Sequence, residues 1–87
     1  MLSKVKLALR VTTTEFDTEI TDLINAACKD LGVVGVTVES TTTDALLTRA
    51  IITYCKVHFG EPEEYDRLKA SYDEQKAQLI SCTGYGL

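Results

Sequence analysis

One stretch constrains the fold more than any other: residues 45–59, A-L-L-T-R-A-I-I-T-Y-C-K-V-H-F. Ala45, Leu46, Leu47, Ala50, Ile51, Ile52, Tyr54, Cys55, Val57 and Phe59 leave a thin polar face, marked by Arg49, Lys56 and His58. A helix that is apolar nearly all round has to be covered by neighbours on most sides. It is too short to cross a bilayer, which takes about 20 apolar residues, and no other run comes close. The expectation is a soluble domain with no membrane contact, built around this helix. Thr43 or Asp44 supplies a polar cap at its start, and Gly60 ends it, so the helix is predicted over residues 44–59.

The rest of the chain must cover that centre. Residues 2–9 place Leu2, Val5 and Leu9 at helical spacing, enough for one or two turns. Thr12, Thr13 and Thr14 interrupt the pattern, and Thr14 with Asp17 has capping-box spacing. Phe16, Ile20, Leu23, Ile24, Ala27 and Leu31 then recur in steps of three and four, which predicts a helix over residues 15–31 stopped by Gly32. Residues 33–43 read V-V-G-V-T-V-E-S-T-T-T. Val34, Val36 and Val38 alternate with smaller residues, which suits a long loop whose valines pack under the helices. An edge strand that pairs with another chain is the alternative. Pro62 suits the first turn of a last helix, predicted over residues 62–80, where Tyr65, Leu68, Tyr72 and Leu79 form a narrow stripe among charges. Residues 81–87 carry Gly84 and Gly86 and no helical pattern. The fold class expected is all-α: a compact bundle of about four helices, a long loop after the second and a flexible C-terminal tail. Its dry core is assigned to Phe16, Ile20, Leu23, Leu47, Ile51, Tyr54, Leu68 and Tyr72.

Length and charge bound the function. The 87 residues make one domain with a thin stability margin, so neighbouring subunits are expected to contribute. Residues 1–10 hold three cations and no acids, a net +3, and the remainder holds six cations and thirteen acids, a net −7. An acidic body argues against a duplex-binding surface, since phosphate neutralisation dominates such affinity. The opening lacks the apolar stretch and cleavage site of a signal peptide. Cys28, Cys55 and Cys82 are odd in number and form no C-x-x-C pair, which reads as reduced thiols rather than a disulfide framework.

Catalytic machinery is not visible. Cys55 and His58 stand three apart on the central helix, yet they supply two ligands where structural zinc takes four, and no other histidine exists. As nucleophile and base they lack an identifiable orienting group. Glu61, Glu63, Glu64 and Asp66 cluster at the start of the last helix, where the helix dipole accounts for them. No glycine loop carries a phosphate-binding lysine. The expectation is no enzyme, no catalytic residue, no cofactor and no metal, with an interaction role instead.

The order of segments resembles the small phage head-tail connector proteins, also called head completion or adaptor proteins. The resemblance is carried by M-L-S-K-V-K-L-A-L-R-V, by E-F-D-T-E-I-T-D-L-I-N-A-A, by T-R-A-I-I-T-Y-C-K-V-H-F-G and by Y-D-R-L-K-A-S-Y-D-E-Q-K-A-Q-L, and so spans nearly the whole chain. It implies an α-helical subunit of a ring, usually of twelve copies, seated on the portal protein in the virion neck and assembled in the bacterial host cytoplasm. Such a ring extends the DNA channel, passes DNA without sequence-specific binding, and offers a platform to a stopper or tail-completion protein.

Two sets of residues are candidates for the contacts of such a ring. The basic start, Lys4, Lys6 and Arg10, is expected to meet the acidic cluster Glu61, Glu63, Glu64 and Asp66 of a neighbouring copy. The tail Ser81, Cys82, Thr83, Gly84, Tyr85, Gly86 and Leu87 is expected to order on the portal or the next ring. The rival readings are a small helical regulatory or DNA-binding module, another phage neck protein, and a small enzyme or metalloprotein.

Overall fold

The structure is a computed structural model that describes residues 1–33, 44–60 and 63–81. It contains four helices in chain order: α1 (Leu2–Leu9), α2 (Asp17–Val33), α3 (Ala45–His58) and α4 (Tyr65–Ser81). No strand occurs among the described residues. The all-α expectation holds, while the valine-rich segment 34–43 and the tail 82–87 lie outside the described residues.

Helix α3 is central, as its composition requires. It packs against α1, α2 and α4, and Leu47, Thr48, Ala50, Ile51, Thr53, Cys55 and Val57 are buried on it. Asp44 starts it: its carboxylate accepts from the backbone N–H of Leu46 at 2.9 Å and of Leu47 at 3.1 Å. Two of the orphan amides of the first turn are thereby satisfied. Thr53 is tolerated inside because its hydroxyl donates to the Arg49 carbonyl, 2.9 Å away. After α3 the chain turns at Gly60, whose φ of 69° is the left-handed conformation that favours glycine.

The core combines Val5 of α1, Ile20, Ile24, Ala27 and Leu31 of α2, the α3 residues, and Tyr72 and Leu79 of α4. The spacing on α2, four, three and four, is the stripe the sequence shows. Three expectations need correction. Phe16 is not in the core: it precedes the first turn of α2, is 40% exposed, and meets Phe59 edge-on at 5.6 Å. The helix also begins at Asp17 and runs through Gly32 to Val33, because glycine permits a stop without forcing one. Similarly, α4 starts at Tyr65, whose side chain is 45% exposed, and its buried stripe narrows to Tyr72 and Leu79.

Helix α1 closes without glycine. Arg10 takes φ 60° and ψ 37°, its N–H donates to the Leu7 carbonyl at 3.2 Å, and Val11 N–H donates to the Lys6 carbonyl at 2.9 Å. This pair of bonds is the Schellman arrangement, normally closed by glycine. An L-residue there costs about 1–2 kcal/mol. Replacing Arg10→Gly is expected to stabilise the domain by about 0.5–1 kcal/mol, after the greater unfolded-state entropy of glycine is subtracted. Thermal unfolding should show a midpoint a few degrees higher; a lower midpoint would mean that the arginine side chain contributes more than its backbone costs.

Candidate interaction surface

Lys4 and Arg10 are exposed on and beside α1. Lys6 is not available in the same way: its ammonium lies 2.7 Å from the Asp17 carboxylate and ties α1 to the start of α2. Glu63, Glu64 and Asp66 are exposed around the first turn of α4, and Glu64 accepts a hydrogen bond from Arg67. Glu61 lies outside the described residues, as do Cys82, Thr83, Gly84, Tyr85, Gly86 and Leu87, while the backbone of Ser81 ends α4. Among the described residues no ion pair joins the basic start to the acidic cluster within one chain.

A second polar feature was not legible in the sequence. Asp30, in the last turns of α2, accepts from the Tyr72 hydroxyl at 2.5 Å and from the Lys76 ammonium at 3.2 Å. The Tyr72 ring packs edge-on against Tyr54 of α3, with centroids 5.3 Å apart, and Lys76 Nζ stands 5.3 Å from the Tyr72 centroid. Tyr54 also stacks on His58 at 4.3 Å. Tyr72 and Lys76 are four apart on α4 and share a face, but nothing in the spacing of Asp30 from either announces the contact.

The electrostatics of this cluster make it a brace and not a catalytic group. Burial disfavours the charged Asp30 carboxylate, but the hydrogen bonds from Tyr72 and Lys76 outweigh it and hold the carboxyl below its ordinary value of 3.8. Burial first, and then the bond to Asp30, push the Tyr72 phenol far above its ordinary value. Burial and the nearby Asp30 charge raise Tyr54 as well. At neutral pH the phenol is therefore a fixed donor and the carboxylate a fixed acceptor, with no proton poised to move.

The two described thiols, Cys28 and Cys55, are both disfavoured as thiolates. Cys55 is fully buried, and burial, with a smaller contribution from Cys28, pushes its thiol up to about 12. Burial also raises Cys28. The thiolate is the reactive form, so Cys55 is a packing residue at neutral pH. His58 is exposed at the end of α3. Among the described residues no three His, Cys, Asp or Glu side chains converge as a metal site, no pocket opens, and no helix is long and apolar enough to cross a membrane.

What the described surface offers is charge on a small helical body. Comparison with known proteins gives that body a setting. No curated protein and no solved structure matches the chain. A family model described as phage connector protein matches residues 1–85, which takes in all four helices and most of the tail. Phage connectors are structural proteins of the junction between head and tail, and with nearly every residue inside the match this chain belongs to the phage connector protein family.

Proposed function

We propose that the chain is the repeating subunit of a closed ring, of twelve copies, seated on the phage portal protein. In this reading the ring lengthens the DNA channel and presents a docking platform to a stopper or tail-completion protein. The family match over residues 1–85 is the observation that carries it. A cyclic ring uses one heterologous interface repeated around the axis, so two different patches of one subunit must complement each other. The basic start and the acidic first turn of α4 are such a pair. Lys4 and Arg10 supply the cations, because Lys6 is engaged with Asp17. Glu63, Glu64 and Asp66 supply the anions, with Glu61 beside them in sequence. Each contact between exposed charges is weak, and repetition around the ring multiplies it. The tail, Ser81 to Leu87, follows α4 in the sequence and in this reading docks on the portal or the adjoining ring. A surface with net negative charge lets DNA slide past without adhering. The protein works in the virion neck after assembly in the host cytoplasm, and acts through binding, with no catalytic step.

Co-sedimentation with the assembled portal of the same phage tests this reading. The expected result is saturable binding at about one copy per portal subunit, as a matched ring requires. Reversing Lys4 and Arg10 to glutamate should weaken assembly, and reversing Glu63, Glu64 and Asp66 to lysine in the same chain should restore it. Absence of portal binding by folded protein refutes the adaptor reading, and unchanged assembly in the charge-reversed chain refutes the electrostatic interface.

A further inference from the structure

Helix α1 carries more apolar surface than its packing covers. Val5 is fully buried, and Leu2 and Leu9 pack partly against the core. Leu7 stands two residues on from Val5, toward the far side of the helix, and is 80% exposed. Lys4, three residues earlier, shares that face and is exposed. Arg10, also exposed, closes the turn that starts at Leu7, whose carbonyl accepts the Arg10 N–H at 3.2 Å. One exposed leucine is ordinary on a protein surface. A leucine set between two exposed cations has the apolar centre and charged rim of an interface.

A second patch has the matching chemistry. Tyr65 opens α4, is 45% exposed, and stands among the exposed Glu63, Glu64 and Asp66. Its ring offers flat apolar area, and the charge around it is opposite in sign to the charge around Leu7. The Lys6–Asp17 ion pair keeps α1 beside the start of α2, whereas α4 packs on α3. A head-to-tail contact between copies joins two different parts of the surface. That arrangement favours α4 as the acceptor over the exposed Glu15 and Glu19 near the start of α2.

We propose that Leu7 seats against the Tyr65 ring of the next copy of this chain, and that this apolar pair, more than the charges around it, holds neighbouring subunits together. The inference rests on the ring reading above and gives that interface a centre. Lys4 and Arg10 orient the approach toward the carboxylates, and removal of the leucine and the ring from water supplies the affinity.

Titration of the full chain onto the assembled portal, read by co-sedimentation, tests this. Leu7→Ala and Tyr65→Ala should each raise the half-saturating concentration by at least about tenfold, the scale of losing one buried apolar side chain. The double variant should lie within about twofold of either single one, because both remove the same contact. Leu7→Met keeps the apolar volume and should stay within about threefold of wild type. Raising salt from about 0.1 M to about 1 M should leave the Leu7→Ala deficit in place while shrinking that of Lys4→Ala. Melting of the free variants runs alongside; if Tyr65→Ala lowers the midpoint, Leu7→Ala and its salt response decide the matter. A wild type that never saturates the portal refutes the ring reading and this contact with it. A wild type that saturates, with Leu7→Ala unchanged or with additive losses in the double variant, overturns the Leu7–Tyr65 contact alone. A loss with Leu7→Ala but none with a folded Tyr65→Ala puts Leu7 against the portal and equally overturns it.

Discussion

Ile51→Ala is expected to lower stability by about 2–5 kcal/mol, the range for truncating a buried isoleucine or leucine to alanine. Ile51 is fully buried in α3, the helix that touches all three others. Its removal leaves a cavity in a core that has no spare layer behind it. A domain of this size holds only about 5–10 kcal/mol in total, so the variant stands near the edge of folding as a free subunit. The melting midpoint should fall by at least about 8 °C, at about 4–8 °C per kcal/mol. Urea unfolding followed by circular dichroism should show a lower midpoint with an unchanged slope. Leu7→Ala is the control: Leu7 is 80% exposed, and its loss should cost less than about 0.5 kcal/mol. A cost below about 1 kcal/mol for Ile51→Ala would place the centre of the core elsewhere.

Tyr72→Phe is expected to cost about 1.5–3 kcal/mol, the range for a hydrogen bond to a charged acceptor. The lower end is expected, because Asp30 is 37% exposed and water partly replaces the lost donor. The pH dependence distinguishes this loss from a packing defect. Folding raises the Tyr72 phenol above its ordinary value of 10, so its stabilisation is complete below pH 10 and is lost as pH climbs above that. Each such phenol removes about 1.4 kcal/mol per pH unit in that range. Tyr72→Phe lacks this slope, so the gap between variant and wild type should close in alkali. Asp30 has the opposite sign: its folded value lies below 3.8, so its contribution is present above about pH 4 and is lost as pH falls through the lowered value. Asp30→Asn should flatten the acid limb and leave the alkaline limb partly intact. A double-mutant cycle of the two should show coupling of at least about 0.5 kcal/mol; additive effects at every pH would mean that the two side chains do not act on each other.

The parts of this fold that are legible in the sequence are those written in short spacings. The apolar density of residues 45–59 dictates a covered helix, and α3 is that helix, with Asp44 capping it as its side chain allows. The three-four rhythm of Ile20, Ile24, Ala27 and Leu31 likewise becomes the buried edge of α2. Legibility fails where two answers are locally equal. Phe16 continues the rhythm by one step, but it falls before the first helical turn, where its direction is set by the turn and not by the stripe. Gly32 permits both continuing and stopping. The brace among Asp30, Tyr72 and Lys76 lies wholly outside local reasoning, because its members are 42 and 46 residues apart in the chain. For the interaction surface, the excess of cations at the start was visible, while the engagement of Lys6 by Asp17 depends on how α1 lies against α2. The family resemblance drew on the order of all four helical segments and therefore survived errors in any single boundary.

The left-handed Arg10 sets two demands on the chain in opposition. The backbone at that point is satisfied best by glycine, while a guanidinium at the end of α1 is satisfied only by arginine. In the proposed ring, where Arg10 meets an acidic neighbour, selection for the lone subunit and selection for assembly favour different residues at one codon. On that proposal, a lineage in which the neighbour no longer needs the cation would be free to drift to glycine, so the residue at this position would mark whether the proposed contact is in use.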